Sequence, residues 1–182
     1  MSLLELIDRA DERALAAAGL ACLDRCLPLL APDGGESLRP VWAAVARGDG
    51  GAWGEALAKA GVELDEAPAD DEGARLVREM LGAAPAAWTA PDLRAWASGC
   101  SATSLTLHGR YDGAGGAPEL VEACRSGDPS GAGPLLAGEL RRQHAVLESV
   151  AHGPTGLRRA RELSKEGGRV LRAVVSRRAR TA

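Results

Sequence analysis

TAPDLRAWASGCSATSLTLHGRY, residues Thr89 to Tyr111, lies near the middle of a 182-residue chain and decides its fold class. Leu93, Trp96, Cys100, Thr103, Leu107 and Tyr111 recur at steps of three and four, the spacing that lines side chains along one face of a helix. Thr89 is placed to cap the first turn, and Asp92 three residues on puts a carboxylate at the positive end of the helix dipole. Asp112-Gly113 supplies the stop. The reading makes this segment the strut on which other helices pack.

The same period extends in both directions. Residues 2–30 read as one long first helix with a Ser2–Glu5 capping box, ended by Pro28 and the Pro32-Asp33-Gly34-Gly35 turn. A hairpin follows, helices over about 38–47 and 52–61, with Val41, Trp42 and Val45 facing Trp53 and Leu57. An acidic linker, Glu63 to Glu72, leads to a helix ending near Gly82. Beyond the central segment, residues 112–118 (DGAGGAP) form a connection. Helices are then expected over about 118–125, 133–152 and 155–178, the last keeping its period through Gly167-Gly168. The phrases Ala46-Arg47-Gly48-Asp49 and Cys124-Arg125-Ser126-Gly127-Asp128 resemble each other, which raises the question of an internal duplication. The fold expected is all-α: one domain over 1–182, about seven to eight helices packed as a bundle of antiparallel hairpins.

Composition supports that expectation. The chain is 46% hydrophobic, with no Phe, no Asn and a single Ile, so its core must come from Leu, Val, Ala and four Trp, a helix-favouring palette. Twenty Arg against two Lys match the codon bias of a GC-rich genome, so the Arg excess is no argument for phosphate recognition. No stretch approaches the ~18 apolar residues that span a bilayer, and charges interrupt the first apolar period, so a reducing cytoplasm is expected. Charge is unevenly spread. Residues 1–87 hold sixteen acids and eight bases, residues 88–156 seven and five, and residues 157–182 two and nine. The chain thus divides into an acidic sub-lobe (1–87), a central one (88–156) and a basic amphipathic C-terminal helix and tail (157–182).

Searches for chemistry return little. Cys22 and Cys26 share a helix side, but Cys100 and Cys124 are not paired as structural zinc sites require, so the four thiols read as core filler and no metal is expected. His144, between Leu140 and Leu147, reads as a core histidine, and His152 as a helix C-terminal cap. Glu139 with His144 and Glu148 with His152 miss the Glu-x-x-His spacing of di-iron bundles. Neither Ser101 nor Ser130 stands in a nucleophile elbow, and the glycine-rich loops lack a P-loop lysine. The acids of 63–72 do not follow a calcium loop. No cofactor is expected and no enzyme activity.

What stands out is the basic end, with Arg158, Arg159, Arg161, Arg169, Arg172, Arg177 and Arg178 as candidate partner-binding residues. The function expected is a cytoplasmic helical interaction module (adaptor, regulator or partner subunit) that binds another protein, with self-association as a variant. One alternative is a nucleic-acid or anionic-membrane binder acting through residues 157–182, although no aromatic residue interleaves with these arginines. Another is a small-molecule or metal-binding bundle with its site near Trp96, Cys100, His108 and Tyr111.

Overall fold

The computed structural model describes residues 1–113 and 115–182. Among the described residues there are nine α-helices and no strand: α1 (Leu3–Arg9), α2 (Glu12–Cys26), α3 (Arg39–Arg47), α4 (Gly50–Asp65), α5 (Glu72–Gly82), α6 (Ala90–Arg110), α7 (Pro118–Ser126), α8 (Pro134–Val150) and α9 (Pro154–Thr181). Two 3-10 turns, Leu27–Leu29 and Gly34–Leu38, join α2 to α3. The all-α bundle is therefore as expected, with one more helix than the periodicity counted.

The extra helix comes from a cap. The expected first helix splits at Ala10, which is extended, because the Asp11 carboxylate accepts the Ala14 amide at 2.8 Å and starts a new helix. Aspartate satisfies an orphan N–H at a helix start better than it sits in a helix interior. The break frees α2 to run at its own angle through the middle of the molecule. Every residue from Ala14 to Leu23 is buried, and α2 packs against α6, α8, α9, α3 and α5. The centre of the bundle is thus α2 and not α6. Its Leu-Ala-Ala-Ala-Gly-Leu-Ala-Cys-Leu run is apolar on all sides, as a fully enclosed helix must be.

α6 is the main partner of α2 and starts as its sequence dictates, with Thr89 Oγ1 accepting the Asp92 amide and donating to the Asp92 carboxylate at 2.6 Å. Leu93, Trp96, Cys100 and Leu107 are buried, whereas Thr103 and Tyr111 are only half-buried. Ser101, Ser104, Leu105 and His108 widen the enclosed face beyond the expected stripe. Asp112 does more than mark the end of α6. Its carboxylate accepts the amides of Leu135 and Leu136 at 3.0 and 2.8 Å, capping α8 from a distance, where Gly133 has no side chain to offer. The 112–118 connection runs between these elements; its residue Ala114 lies outside the described residues.

Tryptophans tie the acidic sub-lobe to the centre. Trp53 meets Trp88 and Trp96 edge-to-face at 5.5 and 5.6 Å, the geometry that aromatic quadrupoles prefer. The indole N–H groups of Trp53 and Trp96 donate to the Pro85 and Met80 carbonyls. Trp42, expected to face α4, donates its indole N–H to Asp24 of α2 at 3.0 Å. The two resembling phrases share a helix-closing turn: Gly48 and Gly127 are left-handed, and Asp49 and Asp128 bond back to the Ala44 and Ala123 carbonyls. Common C-cap chemistry accounts for their likeness.

Helix α9 is continuous with the core along its inner face. Leu157, Ala160, Leu163, Gly167, Gly168 and Leu171 are buried, and the helix packs on α8 and α2. No helix of the described residues is long and apolar enough to cross a membrane.

Candidate functional site

Charge is concentrated in two places, one sealed and one open. The sealed one begins with Arg25, which the helical period of α2 places beside Cys22, Cys26 and the apolar face. Its Nε donates to Glu139 Oε2 at 2.8 Å and its Nη2 to Oε1 at 2.7 Å, a bidentate pair between α2 and α8. Both side chains are completely inaccessible to solvent. Glu139 Oε1 also accepts from Ser104 Oγ at 2.7 Å and Gln143 Nε2 at 2.9 Å. Gln143 Oε1 in turn accepts from Ser101 at 2.6 Å, and Cys26 Sγ donates to Ser104 at 3.3 Å.

His108 closes the group. Its Nδ1 lies 2.8 Å from the Ser104 carbonyl, which can only accept, so Nδ1 carries a proton. Nε2 is left facing Glu139 Oε2 at 3.6 Å with no hydrogen-bond partner. Burial alone would raise the Glu139 carboxyl, but Arg25 and the hydrogen bonds around it outweigh desolvation and hold it well below the usual carboxylate range. Burial pushes the Cys22 thiol up to about 12 and raises Cys26 and Cys100 as well, so these thiols are not nucleophiles at neutral pH. Such a cluster pins α2, α6 and α8 in one register. Every member of the cluster is buried.

The interior histidine is therefore His108, not His144, which is half-buried with its pKa lowered by desolvation. His152 does cap, its Nδ1 lying 2.9 Å from the Glu148 carbonyl. All four cysteines are free and buried. The residues proposed around Trp96, Cys100, His108 and Tyr111 do not form one site. Trp96 and Cys100 line a cavity of about 220 Å³ with Met80 and Thr103, while His108 belongs to the sealed cluster. Tyr111, fifteen residues beyond Trp96, is about 22 Å along the same helix.

Arg25, Glu139, Gln143, Ser101 and Ser104 were not singled out from the sequence as a group. A signal was there: Arg25 and Glu139 each interrupt an apolar helical stripe, between Cys22 and Cys26 and between Leu136 and Leu140. A charge on a buried face requires an opposite one.

The open concentration is the outer face of α9. Arg158, Arg159, Lys165, Arg169, Arg172, Arg177, Arg178 and Arg180 are all exposed, and Arg161 is half-buried. Two of the seven candidate arginines are tied to the body of the chain. Arg172 donates to the Pro32 carbonyl, and Arg178 donates to the Tyr111 carbonyl at 2.9 Å with its guanidinium 5.0 Å from the ring centre. Arg159 pairs within its own helix with Glu162 at 3.8 Å. Arg158, Arg161, Arg169 and Arg177 form no ion pair among the described residues. No acid of residues 1–87 forms an ion pair with this face among the described residues. No protein-family model, no curated protein and no solved structure matches this chain.

Proposed function

We propose that the chain is a non-enzymatic helical interaction module, an adaptor, regulator or partner subunit, whose α9 presents a basic face to an acidic surface of another protein. One observation carries this reading. Eight basic side chains stand exposed on a helix whose opposite face is anchored in the core, and none of them forms an ion pair with an acid of residues 1–87 among the described residues. Unpaired charge on a rigid support steers encounter and sets register with an oppositely charged partner. The sealing of the dense polar cluster agrees with a structural interior and with a surface that carries the activity. Cytoplasmic residence fits the unpaired thiols.

The test uses the full chain and a variant with Arg158, Arg169 and Arg177 all replaced by Glu, both shown by circular dichroism to be folded. A purified acidic protein that co-elutes with the parent at low salt, is released as salt rises, and fails to bind the variant supports the reading. Capture of the same protein by the variant sinks it. So does retention of nucleic acid or phospholipid in place of protein. A second copy of this chain as the partner would appear as a salt-sensitive dimer.

A further inference from the structure

Beside the α9 face lies a groove of about 240 Å³, bounded on one side by α9 and on the other by the Leu27–Gly35 segment. Lys165, Arg169 and Arg172 stand along its α9 lip at i, i+4 and i+7, so all three point to one side of the helix. The floor between them is open because residue 168 is glycine: a Cβ there would touch Asp24, Pro28 and Arg25 only at 3.8–4.0 Å. Leu27, Pro28, Ala31 and Pro32 make the opposite wall apolar. The Arg172 guanidinium is held at the rim by the Pro32 carbonyl. Lys165 and Arg169 have no ion-pair partner among the described residues. One acid faces the groove, Asp24, whose Oδ2 already accepts from the Trp42 indole and whose pKa is raised by desolvation.

We infer that this groove is a binding site for a small organic phosphate, a phosphomonoester on an apolar body. Three cations and one carboxylate leave a net charge of +2. A phosphomonoester carries about −1.5 to −2 at neutral pH, and guanidinium forks match its oxygens. The prolines and leucine give the ligand's apolar part a surface that a free oxyanion cannot use. The site extends the account of α9 beyond protein docking and shares Lys165, Arg169 and Arg172 with the exposed basic face.

The experiment is a titration of the full chain, followed by amide shifts of Gly35 and Gly168, with phenyl phosphate, inorganic phosphate and phosphatidylcholine vesicles doped with phosphatidic acid. Phenyl phosphate is expected to bind more tightly than inorganic phosphate. Lys165→Ala with Arg169→Ala is expected to weaken it by about tenfold or more, whereas Arg47→Ala with Lys59→Ala, two exposed cations outside the groove lining and equal in charge removed, leaves it unchanged. The inference is overturned if no shift occurs, if both variant pairs weaken binding alike, or if the apolar group adds nothing. Binding to the vesicles without binding to phenyl phosphate overturns it too, since that reports adsorption of the whole helix face.

Discussion

The two faces of α9 put the same residue chemistry to opposite uses. On the inner face the helix closes over Arg25, whose charge is fully desolvated and matched oxygen by oxygen with Glu139. On the outer face arginines stand in water with few partners. A buried charge pair is costly to break because either survivor is left unsolvated, whereas an exposed charge contributes little to stability and much to encounter. Stability should therefore be sensitive inside and insensitive outside, and binding the reverse.

The largest effect should come from breaking the inner pair. Glu139→Ala strands the Arg25 guanidinium and should cost about 3–5 kcal/mol in urea unfolding. Replacing both partners by apolar residues of similar volume, Arg25→Met with Glu139→Leu, should recover part of that loss, because Ser104 and Gln143 still lose their acceptor. If the single and double variants are equally unstable, the pair is not the unit on which the interior depends.

Acid provides a second route to the same pair. Glu139 is depressed below its ordinary value of 4.5 in the folded chain, so its stabilisation is complete above that value and is lost as the pH falls below it. The parent should lose stability more steeply below pH 4.5 than the Arg25→Met, Glu139→Leu variant, which lacks the titrating group. Parallel acid limbs in equilibrium unfolding at several pH values would assign acid sensitivity to other carboxylates.

How much of this was legible beforehand depends on whether the signal was local. Caps and periods are local, so α6 through α9 are where Thr89, Pro118, Pro134 and Gly153-Pro154 place them. The apolar period of residues 2–30 runs unbroken past Asp11, so the period alone does not show the cap that divides α1 from α2. The enclosure of α2 was obscured for a related reason. A run apolar on every side carries no facing signal, so its enclosure follows from packing and not from period. The Arg25–Glu139 pair joins residues 114 positions apart, and no local rule spans that distance. The arginines of α9 were visible at once, but which of them the fold engages, Arg172 at Pro32 and Arg178 at Tyr111, depended on packing.

Adjacent glycines in α9 sharpen the contrast within a single turn. A Cβ on Gly167 would lie 2.3 Å from Arg25 Cδ and 2.9 Å from its Cγ, so Gly167→Ala must displace the stem of a side chain that Glu139 holds fast. It should destabilise by about 1–3 kcal/mol. Gly168→Ala meets nothing closer than 3.8 Å and removes backbone freedom from the unfolded chain, so it should stabilise by about 0.5–1 kcal/mol. Opposite signs at neighbouring positions are hard to obtain unless α9 lies across Arg25 as described. Thermal melts of the two variants decide it, and equal shifts would mean that the helix is rotated or detached there.

The smallest effect is expected outside, and its smallness is what matters. Arg158, Arg169 and Arg177 touch no acid among the described residues, so replacing all three by Ser removes solvated charge and some helix propensity but breaks no buried contact. The unfolding midpoint should move by no more than the equivalent of about 0.5 kcal/mol per site. The same variant should lose most of its affinity for an acidic partner, and the loss should shrink as salt screens the parent. A large destabilisation would show that the outer arginines are held by the fold, and the proposed division between a structural inner face and a recognition outer face would fail.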